Sequence, residues 1–299
     1  MKATVFIPTK NGGEDFERLL QAVKNQTEKD HEIVVVDSGS KDQTLEIARR
    51  FGVKFYEIPP SEFGHGRTRN LALKYGSGEF IVFLSQDSIP ANDRWLSQLL
   101  SAFQNPKVAG AFSRQVPREN APVAQIFFHE QHFPPLSRIN LPKENLLPSD
   151  YFFSDASSAV RRSVFEKYPF KPSIMMTEDQ EWTKRMLKKG YATAYQATSE
   201  VTHSHHYNFM QTMRRYFDSA YCLVEITDGA FHNFTKSGAS YTMRELGYTL
   251  RSKPWELLGT LKDIVAKVIG TTLGMRAKKL PLSMQKFFSM HAYYWTQKP

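Results

Sequence analysis

The chain has 299 residues, 41% hydrophobic and 23% charged, which is typical of one or two globular domains and excludes collagen-like, coiled-coil and disordered chains. Thirty-nine Lys and Arg against 30 Asp and Glu give a net charge of +9, which indicates a polyanionic partner such as nucleic acid, an anionic membrane or a nucleotide substrate. The single cysteine, Cys222, excludes an internal disulfide and predicts a buried thiol in a reducing compartment.

Short apolar runs alternate with helical patterns over the first hundred residues. Strands are predicted over 3–7, 32–36, 53–58 and 80–84, and helices over 14–25, 44–51 and 68–75. This alternation predicts an α/β fold, with a mostly parallel sheet flanked by helices. Beyond it, 114–154 is predicted as a long connection, 178–189 as a helix and 191–201 as a strand.

Polar residues follow three of the predicted strands. They are Pro8-Thr9-Lys10-Asn11, Asp37-Ser38-Gly39-Ser40 and Ser85-Gln86-Asp87. Taken singly, each segment is better explained as a turn or a helix cap than as part of a binding site. Because the carboxyl ends of parallel strands meet at one edge of a sheet, where ligands bind in such folds, the three together favour a binding site.

Two further groups of polar residues have the composition of a catalytic site. Glu178 and Asp179 begin a predicted helix, where they either complement the helix dipole or supply a general base. His203 and His205 follow a predicted strand, and residues two apart in an extended chain project to the same side. Imidazoles with a carboxylate suit Mn²⁺ or Zn²⁺, whereas Mg²⁺ prefers oxygen ligands.

In their order and spacing, these segments and Arg69-Asn70 resemble glycosyltransferase family 2 over roughly residues 1–205. Within that family the chain is similar to bacterial rhamnosyltransferases. The segments that carry this similarity are 63–70, 154–162, 178–182, 203–205 and 282–295.

The resemblance implies a GT-A fold, a Rossmann-like mixed and mostly parallel sheet flanked by helices. It divides the chain into a catalytic domain over 1–210 and a C-terminal helical extension over 211–299. The implied activity is inverting transfer of a sugar, L-rhamnose from dTDP-L-rhamnose above all, to a lipid-linked surface polysaccharide or O-antigen. One alternative is the same fold with a UDP- or GDP-sugar donor. Two others are a non-enzymatic, basic nucleic-acid-binding protein and a catalytically silent nucleotide-binding scaffold.

The resemblance also assigns roles to single residues. It places the nucleotide at Pro8, Thr9, Lys10, Asn11, Asp37 and Arg69, and the diphosphate beside Gln86 and Asp87. Asp87 and His203 would hold a divalent cation, Mg²⁺ or Mn²⁺. Asp179 would be the catalytic base, with Glu178 beside it raising its pKa. Ser85 stands where the family usually has an acidic residue, which predicts a weaker metal site.

The C-terminal segment 251–299 has nine Lys or Arg and two acidic residues, a net charge of +7 that leaves a nearly neutral body without a basic stripe. We therefore expect no nucleic-acid partner. Apolar residues at 257, 258, 261, 264, 265, 268 and 269 predict an amphipathic helix, which either packs on the protein or binds an anionic membrane. With no apolar run of spanning length and no signal peptide, the sequence predicts a cytoplasmic protein, peripheral on the inner face of the cell membrane.

Overall fold

The computed structural model describes residues 2–227 and 234–297, which form two compact units. The first comprises Met1–Arg118, Phe133–Ser173 and Glu178–His203, and the second comprises Glu119–His132, Ile174–Thr177 and Ser204–Pro299. The second unit thus includes three stretches that the sequence-based division at residue 210 assigns to the catalytic domain, Glu119–His132, Ile174–Thr177 and 204–210.

A nine-stranded sheet forms the centre of the first unit. Its strands are β1 Ala3–Thr9, β2 His31–Asp37, β3 Lys54–Glu57, β4 Phe80–Leu84, β5 Ile89–Pro90, β6 Val108–Val116, β7 Arg138–Asn140, β8 Ser157–Arg161 and β9 Ala192–Thr202. The order is β3-β2-β1-β4-β8-β6-β9-β5, with β7 pairing with β9. The predicted α/β architecture is confirmed, including all five strands that the sequence identified.

The longest ladders, β1 with β2 and β6 with β9, are parallel. Strand β8 runs antiparallel to both of its neighbours, β4 and β6. The start of β8 therefore lies at the same edge as the end of β4, with Ser157 opposite Leu84. This edge carries polar residues from strands of both directions.

Helices cover both faces of the sheet because the strands are apolar on both sides. In β1, Val5 and Ile7 belong to one buried cluster and Phe6 belongs to the other. The helices of this unit are α1 Gly13–Lys24, α2 Thr44–Arg50, α3 His65–Asn70, α4 Ala72–Tyr75, α5 Trp95–Leu100, α7 Arg162–Lys167 and α8 Glu178–Lys188. The helix predicted over 68–75 is two short helices, whereas α8 begins and ends as predicted, before Gly190 with φ of +88°.

The second unit is helical, with α6 Val123–His132, α9 Phe209–Ile226, α10 Phe234–Ser252, α11 Leu257–Gly274, α12 Leu282–Phe288 and α13 Ala292–Gln297. The prediction of a long connection over 114–154 was wrong where α6 forms. Cys222 is a free, buried thiol, as predicted. It packs in a cluster with Phe217, Tyr221 and Trp295.

The predicted amphipathic helix is α11, but its small residues are the ones that are buried. Thr260, Ala266, Gly270 and Gly274 have little exposed surface. A Cβ on Gly270 or Gly274 would lie 2.2 Å from a backbone oxygen of α9. Leu258, Val265 and Val268, in contrast, are about half or more exposed. None of the helices in the described ranges is both long and apolar enough to cross a membrane.

We predict that Gly270→Ala destabilises the protein, because the added methyl group would meet the Met213 carbonyl on α9. The expected loss in the free energy of unfolding is about 1–3 kcal/mol. Gly259→Ala in the same helix is the matched control, since no atom lies within 4 Å of the new Cβ. It should leave stability unchanged or raise it by up to about 1 kcal/mol. Denaturant unfolding of both variants checks the difference, and equal stability would contradict the close packing.

Candidate active site

Three loops meet at the carboxyl edge of β1, β2 and β4. The side-chain oxygen of Gln86 accepts hydrogen bonds from the Thr9 hydroxyl and the Lys10 backbone N–H, both at 2.7 Å. The Gln86 amide donates in return to the Lys10 carbonyl at 3.1 Å. Gln86 thus holds the backbone of the first loop in place after Pro8. Its position beside a diphosphate stays a prediction.

The second loop follows Asp37, which is fully buried. Its carboxylate accepts hydrogen bonds from the backbone N–H groups of Gly39 and Ser40, both at 2.8 Å, and from the Ser40 hydroxyl. Asn11, in the left-handed region with φ of +50°, joins this loop to the first by accepting from the Lys41 N–H at 2.8 Å. The predicted nucleotide residues of the two loops are therefore held together, while Lys10 is exposed.

Asp87 and His203 are adjacent at the same edge. Asp87 Oδ1 lies 3.6 Å from His203 Nε2. His203 Nδ1 lies 2.9 Å from the Gln115 side-chain oxygen, an acceptor, so Nδ1 carries the proton and Nε2 presents its lone pair on the side of Asp87. The Gln115 amide donates to the Ser154 hydroxyl at 2.6 Å, which fixes its orientation.

Asp87 and His203 supply a carboxylate and an imidazole at this edge, the two donors that the resemblance assigns to a divalent cation. An imidazole with a carboxylate fits Mn²⁺ better than Mg²⁺. Arg118 donates to Asp15 at 2.7 Å and to the Asp87 carbonyl at 3.5 Å, so a guanidinium lies next to this group.

Arg69 lies in a buried cluster with three carboxylates. Its Nε is 2.9 Å from Asp155, and its Nη1 is 3.2 Å from Glu178. The Asp155 backbone N–H donates to Asp179 at 3.1 Å, and the Gln180 N–H donates to the other oxygen of Asp179 at 2.8 Å. Both ion pairs of Arg69 are thus with carboxylates of this cluster, and its place in the nucleotide site stays a prediction.

This cluster shifts the protonation of its acids. Burial, and then the negative charge of Asp155, raise the pKa of Asp179 from 3.8 to about 7, against the two backbone donors that lower it. Burial, followed by Asp155, also raises the pKa of Glu178 well above its ordinary value, despite Arg69. A carboxylate with a pKa near neutral pH is suited to take a proton from a substrate hydroxyl.

Asp155 and Gln115 were missed as site residues by the sequence reasoning. Both belong to the part of the sheet where β8 is antiparallel, so Asp155 precedes its strand instead of following it. A search for polar residues after parallel strands passes over such a position. The signal was nevertheless present, because Asp155 lies in the segment 154–162 that carries the rhamnosyltransferase resemblance.

The family model for Glycosyl transferase family 2 matches residues 4–169. The chain belongs to this family. The GT-A fold and a glycosyltransferase activity, as the resemblance implied, are thereby confirmed. The O-antigen chain rhamnosyltransferase RfbN of Salmonella typhimurium is 33% identical over 99% of this chain and 96% of its own length. WbaN of Salmonella anatum, also an O-antigen chain rhamnosyltransferase, is 33% identical over 98% and 95%.

Solved structures agree on the fold. The mannosyltransferase PcManGT from Pyrobaculum calidifontis, in complex with GDP-Man and Mn²⁺, has a TM-score of 0.62 at 16% identity and covers 92% of this family 2 chain and 88% of its own. TarS 1-349 of S. aureus in complex with UDP has a TM-score of 0.56 at 18% identity, with coverage of 93% and 91%. At these levels of sequence identity, both similarities show the fold alone.

We predict that transfer by this enzyme falls at acidic pH, since Asp179 is protonated below its pKa of about 7 and then cannot accept a proton. Asp155→Asn removes the charge that raises this pKa. The acidic limb of log kcat/KM against pH should therefore move to lower pH, by on the order of one unit. Asp93→Asn, at an exposed position, is the control and should leave the profile unchanged. An acidic limb that stays in place in Asp155→Asn would contradict the coupling.

Proposed function

We propose that this glycosyltransferase moves L-rhamnose from dTDP-L-rhamnose, with inversion, to a lipid-linked O-antigen or other surface polysaccharide. The observation that carries the proposal is the 33% identity, over nearly the whole length of both chains, to two O-antigen chain rhamnosyltransferases. The matched region extends over 98–99% of this chain and so spans the strand-end loops and the C-terminal helices alike. It therefore concerns more than the nucleotide-binding half common to the family.

In this proposal the loops after β1 and β2 bind the nucleoside. Pro8, Thr9, Lys10 and Asn11 line one side, and Asp37 accepts a hydrogen bond from the pyrimidine N3–H on the other. The Gln86 bonds support this role, because they hold the first loop in one conformation before the donor binds. Exposed Lys10 supplies a positive charge for the phosphates.

Asp87 and His203 would hold the divalent cation, for which Mn²⁺ suits the donor set. When bound, this cation offsets the negative charge that develops on the departing diphosphate. Arg118 lies beside Asp87 and would supply a positive charge for the diphosphate, in addition to Lys10 and Arg69.

The chemical step is a displacement at the anomeric carbon. The acceptor hydroxyl forms a bond to that carbon, and the bond from the carbon to the diphosphate oxygen breaks on the opposite side. Asp179 takes the hydroxyl proton, and dTDP leaves with the bonding electrons. Glu178, whose pKa is raised by burial and by the charge of Asp155, lies next to the base and is paired with Arg69 at 3.2 Å.

We expect Asp179→Asn to lower kcat by roughly 10²–10⁴-fold, the contribution of a positioned general base. The donor affinity should change little, because the variant keeps the shape of the side chain and the strand-end loops are untouched. Single-turnover transfer and donor titration measure the two quantities separately. Transfer near the wild-type rate would remove Asp179 from the base role.

The donor is tested by thermal shift with dTDP-rhamnose, UDP-sugars and GDP-sugars, each with and without Mn²⁺ or Mg²⁺. We expect the largest rise in Tm with dTDP-rhamnose and Mn²⁺, because ligands that bind only the native state stabilise it. A larger rise in Tm with a UDP- or GDP-sugar would contradict dTDP-rhamnose as the donor, but not the membership of family 2. The same shift with and without a cation would contradict the metal site.

We also propose that the enzyme works as a peripheral protein on the inner face of the cell membrane, through 251–299. The net charge of +7 in this segment supports attraction to anionic lipid. A lipid-linked acceptor is confined to that surface, so attachment would raise the frequency of encounter between enzyme and acceptor.

A further inference from the structure

The outer face of α11 is a continuous apolar surface on the second unit. It comprises Trp255, which precedes the helix, and Leu258, Leu261, Val265, Val268 and Ile269, with exposed fractions from 37% to 77%. At 100° per residue the five positions on α11 itself fall within an arc of about 100°. Since α11 packs through its opposite, small-residue face, the apolar surface is not required for folding against α9.

One basic residue borders this face. Lys262 is exposed and lies about 20° beyond Ile269 around the helix. The two acidic residues close to Lys262 in the sequence have partners away from the apolar face. Asp263 is paired with Lys267, and Glu256 accepts a hydrogen bond from the Val123 backbone N–H at 2.8 Å.

We propose that this face is the part of 251–299 that enters the interface of an anionic membrane, with α11 lying parallel to the surface. The inference rests on the peripheral attachment proposed above and specifies the residues that make it. A tryptophan just before the helix, aliphatic side chains along about 17 Å of it, and a lysine at the border of the apolar face are the features of interfacial helices. The positive charge of Lys262 therefore favours anionic lipid over an uncharged apolar partner.

The position of the tryptophans allows a direct test on the unmodified enzyme. Trp255 is 77% exposed, whereas Trp95, Trp182 and Trp295 are at most 4% exposed. Vesicles that contain 30% phosphatidylglycerol and brominated acyl chains should quench the fluorescence of Trp255. Neutral phosphatidylcholine vesicles should quench it much less, and Trp255→Phe should remove the quenching. Absence of quenching by anionic vesicles overturns the proposal.

A pair of matched variants tests the same face by sedimentation with the anionic vesicles. Leu258→Glu should weaken partitioning about tenfold or more, because it replaces an apolar contact with a carboxylate. Leu141→Glu makes the same change at a similarly exposed leucine of the first unit, 61% against 74%, and should bind as the wild type does. Equal partitioning of the two variants overturns the proposal.

Two further measurements separate this idea from its alternatives. If the face joins two copies of the chain, sedimentation velocity without vesicles will show a dimer that Leu258→Glu dissociates, and no vesicle binding, which also overturns the proposal. Turnover with a soluble acceptor should be equal in Leu258→Glu and the wild type. Loss of turnover in every variant, with vesicle binding unchanged, would contradict the proposed function and not this surface.

Discussion

The active site depends on one buried ion-pair cluster, in which a single guanidinium faces three carboxylates. Arg69 on α3 compensates Asp155 and Glu178 directly, at 2.9 and 3.2 Å. One positive charge does not fully offset three carboxylates in a buried cluster, and burial favours the protonated form of a carboxyl group. Burial and the charge of Asp155 accordingly raise the pKa values of Glu178 and Asp179. The same ion pairs connect α3, the segment before β8 and the start of α8.

The antiparallel direction of β8 explains how those three elements meet. The ends of β1, β2 and β4 bring the nucleotide loops to one edge, as parallel strands do. The reversed strand then brings its start, and with it Asp155, to the same edge. Gln115, near the end of β6, reaches it from the other side and orients His203. Asp155 and Gln115, which position the candidate base and a candidate metal ligand, thus belong to the part of the sheet where the strands are not all parallel.

The sequence predicted the parallel half well, because its strands are buried runs of β-branched residues that are followed by polar turns. Asp179 and the His203–His205 pair were identified by type and spacing, and their roles stay predictions. Asp155 and Gln115 could not be found in this way, since strand direction depends on long-range pairing that no local pattern encodes. For the same reason the sequence did not reveal the carboxylate partners of Arg69, which lie about a hundred residues further along the chain.

The helix α11 shows a different limit of sequence patterns. Its period correctly predicted an amphipathic helix, but period alone does not say which face is covered. The signal for the buried face was the spacing of Ala266, Gly270 and Gly274, since small residues four apart allow two helix backbones to approach closely. Close packing of this kind needs no large apolar side chains. The leucines and valines of α11 are therefore available for a partner outside the fold, and the lysine beside them favours one with negative charge.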